Sequence, residues 1–362
     1  EEGHPAVEIT PIWLDQVIEA ELHDWLYGPD RAPKLGGWFG AYENSAGDRA
    51  AWLKPLHHTT QKLWEPVLAK IVAHLSRTEI QNLTAALIPT GLFGFFPLHA
   101  AWTQDISGNR HTACDTITFT YAPNALSLQA ARTIAAHTPA TSLLAINDPQ
   151  PTQADPLPSS GYETASAIAN FPGKGNWQLC QHENATAAAV LEALPNHAVV
   201  HFSGHGTANV DHPLDSGLLM ANDVILSLLD LLDLRLKGLR LAVLSACETG
   251  IPSRDLLDEV ISLSTGLLQA GAAGVVSSLW PVAELSTMLM VKRFYDLWRS
   301  DGLEPAQALH QAQLWLRDST GPELAPYLQP SHPDLATKFA QAPDKRPFAH
   351  PFYWAAFTYT GV

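Results

Sequence analysis

The sequence has few cysteines, few charged residues and few basic residues, and each shortage excludes a class of protein. Cys114, Cys180 and Cys247 are the three cysteines in 362 residues; this odd, sparse set predicts no disulfide framework and fits a reducing cytoplasm. Lysine and arginine total 21 against 36 acidic residues, a net charge of −15. That charge argues against nucleic acid or an anionic membrane as the main binding partner. No apolar run approaches the ~20 residues of a membrane-spanning helix.

The N-terminus has neither of two familiar signals. It reads Glu1-Glu2-Gly3-His4, with no basic stretch before an apolar core, so no secretory signal peptide is predicted. It also has no initiator methionine, which predicts a processed chain or one cut from a longer protein. The length allows two or three domains, and a hydrophobic fraction of 46% is typical of a globular protein.

From about residue 82 onward, short apolar runs alternate with amphipathic segments. Strands are predicted over residues 83–88, 116–121, 142–146, 177–180, 197–202, 239–244, 274–279 and 352–359. Helices are predicted over 125–136, 162–170, 185–194, 224–232, 256–270, 285–298 and 305–317. Residues 149–160 hold four prolines and read as a surface loop. Strands that alternate with helices indicate βα units around a mostly parallel sheet.

Two segments carry the residue types of a nucleophilic site. They are AVVHFSGHG at 198–206 and LAVLSACETG at 241–250. Each is a strand-forming run that ends in small residues and one reactive side chain, His205 in the first and Cys247 in the second. Ligands of open α/β sheets bind at the carboxyl ends of parallel strands, and adjacent strands lie ~4.8 Å apart. If the two strands are neighbours, the imidazole and the thiol face each other, as a Cys–His nucleophile pair requires.

The residues around the histidine and the cysteine suit the same chemistry. Gly204 and Gly206 flank His205, so its loop can approach a substrate without Cβ clashes. The backbone N–H groups of Gly206 and Cys247 are the predicted oxyanion hole, in which one donor is typically worth ~10²–10³ in rate. Ala246 directly precedes the cysteine. Caspase-type proteases likewise have an alanine there, and a histidine about 50 positions upstream.

The sequence resembles the CHAT domain family, caspase-like protease domains that are often joined to tetratricopeptide repeats. The matching stretches are LIPTGLFGFFPLHAAW (87–102), TYAPNALSL (120–128), HFSGHG (201–206), LSACETG (244–250), SSLWPV (277–282) and WAAFTYTG (354–361). The resemblance covers about residues 80–362 and implies a caspase-like, three-layer αβα sandwich with a mostly parallel central sheet. It implies an irregular, helical N-terminal segment over 1–80, a pseudo-protease part over 81–196 and a catalytic part over 197–362.

The same resemblance implies an activity. His205 and Cys247 correspond to the catalytic dyad of a cysteine endopeptidase, which needs no metal or organic cofactor. Its substrate is a protein, its location is the cytoplasm, and neither nucleic acid nor a membrane is an expected partner. Such domains are commonly silent until a partner or a fused sensor releases them, often in prokaryotic defence or cell-death systems. The repeats themselves are not found in this sequence, so a sensor or repeat region is expected outside it.

Acidic residues near the strand ends are candidates for the pocket that selects the residue before the cleaved bond. In the clan that includes caspases and separases, that pocket carries a charge opposite to the side chain it binds. Glu284 follows SSLWPV, and Asp211 and Asp215 follow the histidine loop. These acids predict cleavage after a basic residue, Arg in preference to Lys, because a guanidinium pairs bidentately with a carboxylate. Glu284 is alternatively only the start of the predicted helix 285–298, and Trp280 either lines the pocket or belongs to the core.

The candidate residues also have structural interpretations. Cys247 is alternatively a buried structural cysteine, and His201 is a structural histidine beneath the site. No acidic or cysteine ligand follows His201, His205 and His212 at a useful spacing, so no zinc site is predicted. The P-loop, GxSxG and HExxH motifs do not occur. Two further functions stay open: a non-cleaving scaffold that binds a partner through the same groove, and a small-molecule thiol hydrolase or transferase.

Overall fold

The computed structural model describes residues 9–29, 37–45, 48–77, 82–209, 211–234, 236, 238–246, 249–250 and 262–362. Contacts divide the chain into two units, residues 1–82 with 100–116, and residues 83–99 with 117–362. Within the described ranges, no helix is both long and apolar enough to cross a membrane.

The described helices and strands follow in chain order. The helices are α1 (Glu19–Tyr27), α2 (Trp38–Glu43), α3 (Ala50–Lys62), α4 (Ala69–Leu75), α5 (Ala125–His137), α6 (Ser160–Ala169), α7 (Ala187–Ala193), α8 (Leu228–Asp233), α9 (Leu263–Ala270), α10 (Glu284–Tyr295), α11 (Pro305–Asp318), α12 (Gly321–Leu328), α13 (Pro333–Ala340) and α14 (Pro351–Trp354). The strands are β1 (Thr84–Leu87), β2 (Trp102–Gln104), β3 (Arg110–Thr112), β4 (Thr118–Tyr121), β5 (Leu143–Asn147), β6 (Trp177–Gln181), β7 (Val199–Ser203), β8 (Gly206–Thr207), β9 (Gly217–Met220), β10 (Val224–Ser227), β11 (Leu241–Ser245), β12 (Gly274–Ser278) and β13 (Phe357–Gly361).

The first unit is mostly helical, as predicted for the N-terminal segment. Leu26 of α1 and Trp52 and Leu56 of α3 are buried in its core. The hairpin of β2 and β3 belongs to the same unit. Trp102 of β2 donates its indole N–H to the hydroxyl of Thr60 in α3, 3.2 Å away, which satisfies a polar group that burial would otherwise penalise.

The second unit is built on a mostly parallel sheet, which confirms the predicted fold class. Its strands, within the described residues, run in the order β1-β4-β13-β12-β11-β7-β5-β6. Neighbouring strands are parallel except β12 and β13, which are antiparallel. Helices α6, α10 and α11 pack on one face, and α5 and α9 pack on the other. The sheet is therefore the middle layer of an αβα sandwich.

Strand β7 shows how both faces of the sheet are covered. All of its residues are buried. Val200 and Phe202 belong to the apolar cluster on the α9 side, whereas His201 and Ser203 point towards α10 and α6. A strand buried on both faces has no need of polar alternation, but the face beneath α6 and α10 is polar near the carboxyl end of this strand.

A small antiparallel sheet of β8, β9 and β10 follows the main strand β7. The predicted helix over 224–232 is wrong at its start, because its first four residues pair with β9 as strand β10. Helix α8 begins only after Ser227, which forms a capping box with Asp230. The apolar run that suggested one helix therefore contains a strand and a short capped helix.

The predicted strand over 352–359 begins too early. Its first residues form helix α14, in which Pro351 takes the first helical position and His350 caps the Phe352 N–H with its side chain. Strand β13 then closes the chain beside β12.

The predicted boundary between residues 196 and 197 falls inside the large sheet. Strand β5, from the predicted pseudo-protease part, pairs with β7, from the predicted catalytic part. Side chains from both parts also lie in the same apolar cluster. The two parts therefore share one core.

Candidate active site

The two strands that carry the candidate segments are neighbours, as the proposed pairing of histidine and cysteine requires. Strands β7 and β11 pair in parallel along their whole lengths, with Ser203 opposite Ser245 at their carboxyl ends. The Gly204 N–H donates to the Ser245 carbonyl, 3.3 Å away, so the pairing continues past the strand end. His205 comes next in the chain, whereas Cys247 lies outside the described residues.

The chain on both sides of Cys247 is attached to the end of β12. Ser278, the last residue of β12, donates its hydroxyl to the Ala246 carbonyl, 2.6 Å away. Its N–H donates to the Thr249 hydroxyl at 3.1 Å, and its carbonyl accepts from the Gly250 N–H at 2.8 Å. One serine therefore anchors the residues that precede and follow the predicted nucleophile.

The imidazole of His205 is oriented by a backbone carbonyl. Its Nε2 lies 2.8 Å from the carbonyl oxygen of Asp155. A carbonyl can only accept a hydrogen bond, so Nε2 carries a proton. In the neutral ring, Nδ1 is then the unprotonated nitrogen, which can take a proton from a thiol or from water.

Asp155 belongs to the proline loop, residues 148–159, which connects β5 to α6. The hairpin between β9 and β10 holds this loop at two points. The Asn222 N–H donates to the Pro151 carbonyl at 2.8 Å, and the Asp223 carboxylate accepts from the Gln153 N–H at 2.8 Å. The loop that orients His205 is therefore attached to the small sheet that follows His205.

The two glycines beside His205 have different structural roles. A Cβ at Gly204 would lie 2.6 Å from Cζ of Phe202 and 3.1 Å from Cδ of Pro149, so this position excludes any side chain. Gly206 forms a non-hydrogen-bonded pair with Leu218, since Leu219 N–H donates to the His205 carbonyl. Its N–H is therefore directed away from β9. That direction suits the predicted oxyanion donor.

The acidic candidates for the specificity pocket occupy separate elements. Glu284 is the first residue of α10, and its carboxylate accepts a hydrogen bond from the Ser159 N–H. It therefore connects the start of α10 to the residue before α6, in agreement with its alternative role at a helix N-terminus. Asp211 and Asp215 lie exposed in the connection between β8 and β9.

Trp280 is a core residue, and its assignment to the pocket lining requires correction. Its side chain has no exposed surface, and its indole N–H donates to the Phe352 carbonyl at 3.0 Å. A fully enclosed ring with a satisfied N–H presents nothing to a substrate. The structure therefore favours the core alternative for this residue.

A buried polar cluster lies beneath the ends of β7 and β11, on the α6 and α10 face. Glu163 of α6 accepts a hydrogen bond from the Ser203 hydroxyl at 3.0 Å and another from the Ser245 hydroxyl. His201 Nε2 lies 3.9 Å from Glu163 Oε2, and its Nδ1 lies 3.3 Å from the Tyr295 hydroxyl. The buried carboxyl group of Glu163 is thus surrounded by four polar side chains, those of Ser203, Ser245, His201 and Tyr295.

Burial shifts the pKa values in this cluster. It raises the pKa of Glu163 to about 7, against the opposing effect of hydrogen bonds from Ser245 and Ser203; the nearby charge of Glu284 raises it further. Burial also lowers the pKa of His201 to about 3, so this ring is neutral at physiological pH. Burial in the cluster thus favours the uncharged forms of Glu163 and His201.

Sequence patterns missed three residues that organise the site. Asp155 acts through its backbone, which no side-chain motif reveals. Glu163 sits on an amphipathic helix like any solvated acid, and Ser278 is one of several small residues at a strand end. Among the described residues, no group of three His, Cys, Asp or Glu side chains is arranged to hold a metal ion.

Comparisons with known proteins give the following similarities. A stretch of 139 residues is 29% identical to tetratricopeptide repeat protein 28 of Mus musculus; it covers 38% of this chain and 4% of that protein. Gingipain R, an Arg-specific cysteine proteinase of Porphyromonas gingivalis, superposes with a TM-score of 0.47 at 10% identity, over 88% of this chain and 69% of that chain. Separase in the Saccharomyces cerevisiae separase–securin complex gives a TM-score of 0.49 at 12% identity, over 76% and 15%.

The chain therefore spans only a small fraction of the curated relative that it matches. The family model of the CHAT domain matches residues 53–362. That match takes in both strands of the candidate site, the proline loop and the whole of the large sheet. The chain belongs to the CHAT domain family.

Proposed function

We propose that this chain is a cysteine endopeptidase in which His205 and Cys247 form the catalytic dyad. The observation that carries the proposal is the in-register pairing of β7 with β11, in which Ser203 lies opposite Ser245. Each serine is two residues before a member of the dyad. Because both connections leave the same edge of a parallel sheet, the imidazole and the thiol are expected at reacting distance.

The reaction follows from the protonation of His205. Nδ1 takes the proton of Cys247, and the thiolate sulfur attacks the carbonyl carbon of the scissile peptide bond. The tetrahedral adduct collapses as the imidazolium gives its proton to the leaving amine, which leaves a thioester on Cys247. Water then attacks the thioester while Nδ1 takes a water proton. The second tetrahedral adduct collapses to the new carboxyl group as its C–S bond breaks, and the imidazolium returns its proton to the departing sulfur, which restores the thiol. The Asp155 carbonyl holds Nε2–H throughout.

The oxyanion of each tetrahedral adduct needs fixed donors. The Gly206 N–H, directed away from β9, is the proposed donor from the histidine side, and the Cys247 N–H is the second. One such donor contributes ~10²–10³ in rate. The charge on the oxyanion is thereby held by backbone groups that need no rearrangement during the reaction.

A proteome-derived peptide library tests the dyad. His205→Ala should lower cleavage at least ~10²-fold, which is the usual range for a lost general acid–base, and Cys247→Ala should abolish cleavage. His212→Ala, a change in an exposed residue of the next connection, is the matched control and should cleave like the unchanged protein. Near-normal cleavage by either dyad variant, with unchanged thermal unfolding, would contradict the assignment.

A labelling experiment on the same protein preparation distinguishes an active enzyme from a silent scaffold. An irreversible peptidyl electrophile should modify Cys247 in the unchanged protein and not after His205→Ala. A scaffold that has lost the chemistry would bind peptides in the library without cutting them and without this modification. A thiol hydrolase or transferase for small molecules would be modified but would leave the peptides intact.

We also propose that cleavage follows a basic residue, Arg in preference to Lys. Glu284, Asp211 and Asp215 are the acidic groups that support this preference, and Glu284 is the best placed of them because it borders the loop that holds His205. Peptides that differ only in the residue before the cut, with Arg, Lys, Glu or Ala there, test it. Glu284→Gln should reduce the preference for Arg over Ala by about tenfold, the loss expected for one charge-assisted pair. A preference for Glu or Ala in the unchanged protein would overturn it.

Regulation by a partner or by a fused sensor is the last part of the proposal. The similarity to a tetratricopeptide repeat protein and the family resemblance support such control, with a cytoplasmic role in prokaryotic defence or cell death. The cleavage rate of this chain can be measured with and without added cell extract. A rate that is the same under all conditions would contradict such control.

A further inference from the structure

The buried carboxyl group of Glu163 has no role in the proposed chemistry, but it touches both strands that lead to the dyad. It accepts hydrogen bonds from Ser203, the last residue of β7, and from Ser245, the last residue of β11. The two serines are paired in register. A single side chain on α6 therefore holds the ends of two neighbouring strands from the helical layer.

Burial of the Glu163 carboxyl group is unfavourable for the free energy of folding, so its presence in the interior calls for an explanation. The Glu163 side chain is 4% exposed, and burying a carboxyl group without full hydrogen bonding is unfavourable. The titratable groups that face it are His201 on β7, and Glu284 and Tyr295 on α10. Within the described residues, His201 Nε2 has no hydrogen-bond partner, and burial holds that ring neutral. In the part of the chain that the structure describes, no Lys or Arg forms an ion pair with the carboxyl group.

Thr164, the next residue on α6, shows that the helix can be fixed to the sheet without a buried carboxyl group. Thr164, equally buried, donates its hydroxyl to the Asn147 side chain at the end of β5. That hydrogen bond fixes α6 to a strand that carries no dyad residue. Glu163 adds hydrogen bonds to Ser203 and Ser245, at the ends of the two strands that precede His205 and Cys247.

We propose that Glu163 is a positioning residue that fixes the ends of β7 and β11 relative to each other, and thereby His205 relative to Cys247. This inference rests on the proposed dyad. The hydrogen bonds act two residues before each member of the pair, where a small change of strand spacing is passed on directly to the distance between imidazole and thiol. A looser pair stabilises the thiolate less, so the pKa of Cys247 is expected to depend on Glu163.

The test is the pH profile of Cys247 alkylation by iodoacetamide, read by peptide mass spectrometry, which needs no known substrate. Cys114 and Cys180 are buried and serve as internal references in the same digest. Glu163→Met keeps the side-chain volume but removes both hydrogen bonds. It should move the inflection of the profile upward by about one pH unit, a roughly tenfold loss of Cys247 reactivity at neutral pH. Glu163→Gln, which keeps an acceptor oxygen, should recover part of this loss.

Thr164→Val is the matched control on the same helix and should leave the inflection where the unchanged protein has it. His205→Ala separates this inference from the proposed function: if it leaves the profile unchanged, the dyad itself fails. If His205→Ala moves the inflection and Glu163→Met does not, the dyad stands and the positioning role is wrong. If Glu163→Met does not fold, the double variant Ser203→Ala with Ser245→Ala removes the same hydrogen bonds from the strand side and must give the same shift.

Discussion

Gly204 lies between the end of β7 and His205, at a position where any side chain collides with its surroundings. The ring of Phe202, which a Cβ at Gly204 would approach to 2.6 Å, is fully buried and has no room to move away. The Gly204 N–H is also used, since it donates to the Ser245 carbonyl. The glycine thus allows β7 to stay paired with β11 up to the residue before the histidine, without a bulge that would displace the imidazole.

Gly204→Ala should therefore reduce both stability and cleavage. Overpacking of a buried position typically costs ~1–3 kcal/mol, and relief of the clash with Phe202 must shift the backbone that carries His205. We expect the midpoint of denaturant unfolding to fall with an unchanged slope, and kcat to fall more than KM rises. Denaturation and peptide cleavage, measured on one preparation, check both effects.

Gly161→Ala is the control that replaces a glycine without creating a steric clash. Gly161 lies in the first turn of α6, and among the described residues a Cβ there meets no heavy atom within 4 Å beyond its chain neighbours and the backbone of its own helix. This variant should keep full activity and gain up to about 1 kcal/mol of stability, because alanine favours a helix over glycine. Equal behaviour of the two variants would show that the contact with Phe202 does not constrain the histidine loop.

At the scale of secondary-structure elements, predictability from the sequence depends on how local the cause is. The two candidate strands could be predicted because their apolar runs and small terminal residues are local features, and their adjacency follows from the usual geometry of a parallel sheet. The sequence predicts a helix where strand β10 lies, because three apolar residues in a row fit either structure. Only pairing with β9 decides between them.

The contacts that complete the site could not be predicted, because they join residues that are far apart in the sequence. The Asp155 carbonyl reaches His205 from a loop 50 positions away in the chain, and its identity as an acid plays no part. Glu163 reaches Ser203 over 40 positions, and an acid on an amphipathic helix ordinarily faces water. Sequence patterns report which residues can react, whereas long-range hydrogen bonds decide how those residues are held.

At the scale of the whole molecule, buried titratable groups make stability depend on pH in two opposite directions. The pKa of His99 is lowered to about 4 and that of His201 to about 3, in both cases chiefly by burial. Each favours folding above the unfolded pKa of about 6.5, and its contribution is lost as the pH falls below that value. The pKa of Glu163, raised to about 7, has the opposite effect: its contribution is present below about 4.5 and is lost as the pH rises towards 7.

The difference in the number of protons bound by the unfolded and folded states sets the sign of the net pH dependence of stability. Between about pH 4.5 and 6.5 the unfolded chain binds up to two protons that the folded histidines do not, whereas folded Glu163 keeps one that the unfolded chain has released. The histidines prevail by one proton, so stability should fall on acidification by about 1.4 kcal/mol per pH unit from these three groups. Above about pH 6.5 the histidine effect ends and the Glu163 effect alone lowers stability.

His99→Gln isolates one histidine in this balance. His99 bonds to the Tyr121 hydroxyl and lies 3.2 Å from the Ala355 carbonyl, and glutamine can satisfy both groups without a titrating ring. We expect the free energy of unfolding of the variant to change little between about pH 6.5 and pH 5, where the unchanged protein loses on the order of 1–2 kcal/mol. Urea denaturation at the two pH values measures the difference. His137→Gln, a change in an exposed histidine at the end of α5, is the control and should lose as much stability as the unchanged protein. An equal loss in His99→Gln would show that the acid sensitivity of the fold does not arise from burying this neutral ring.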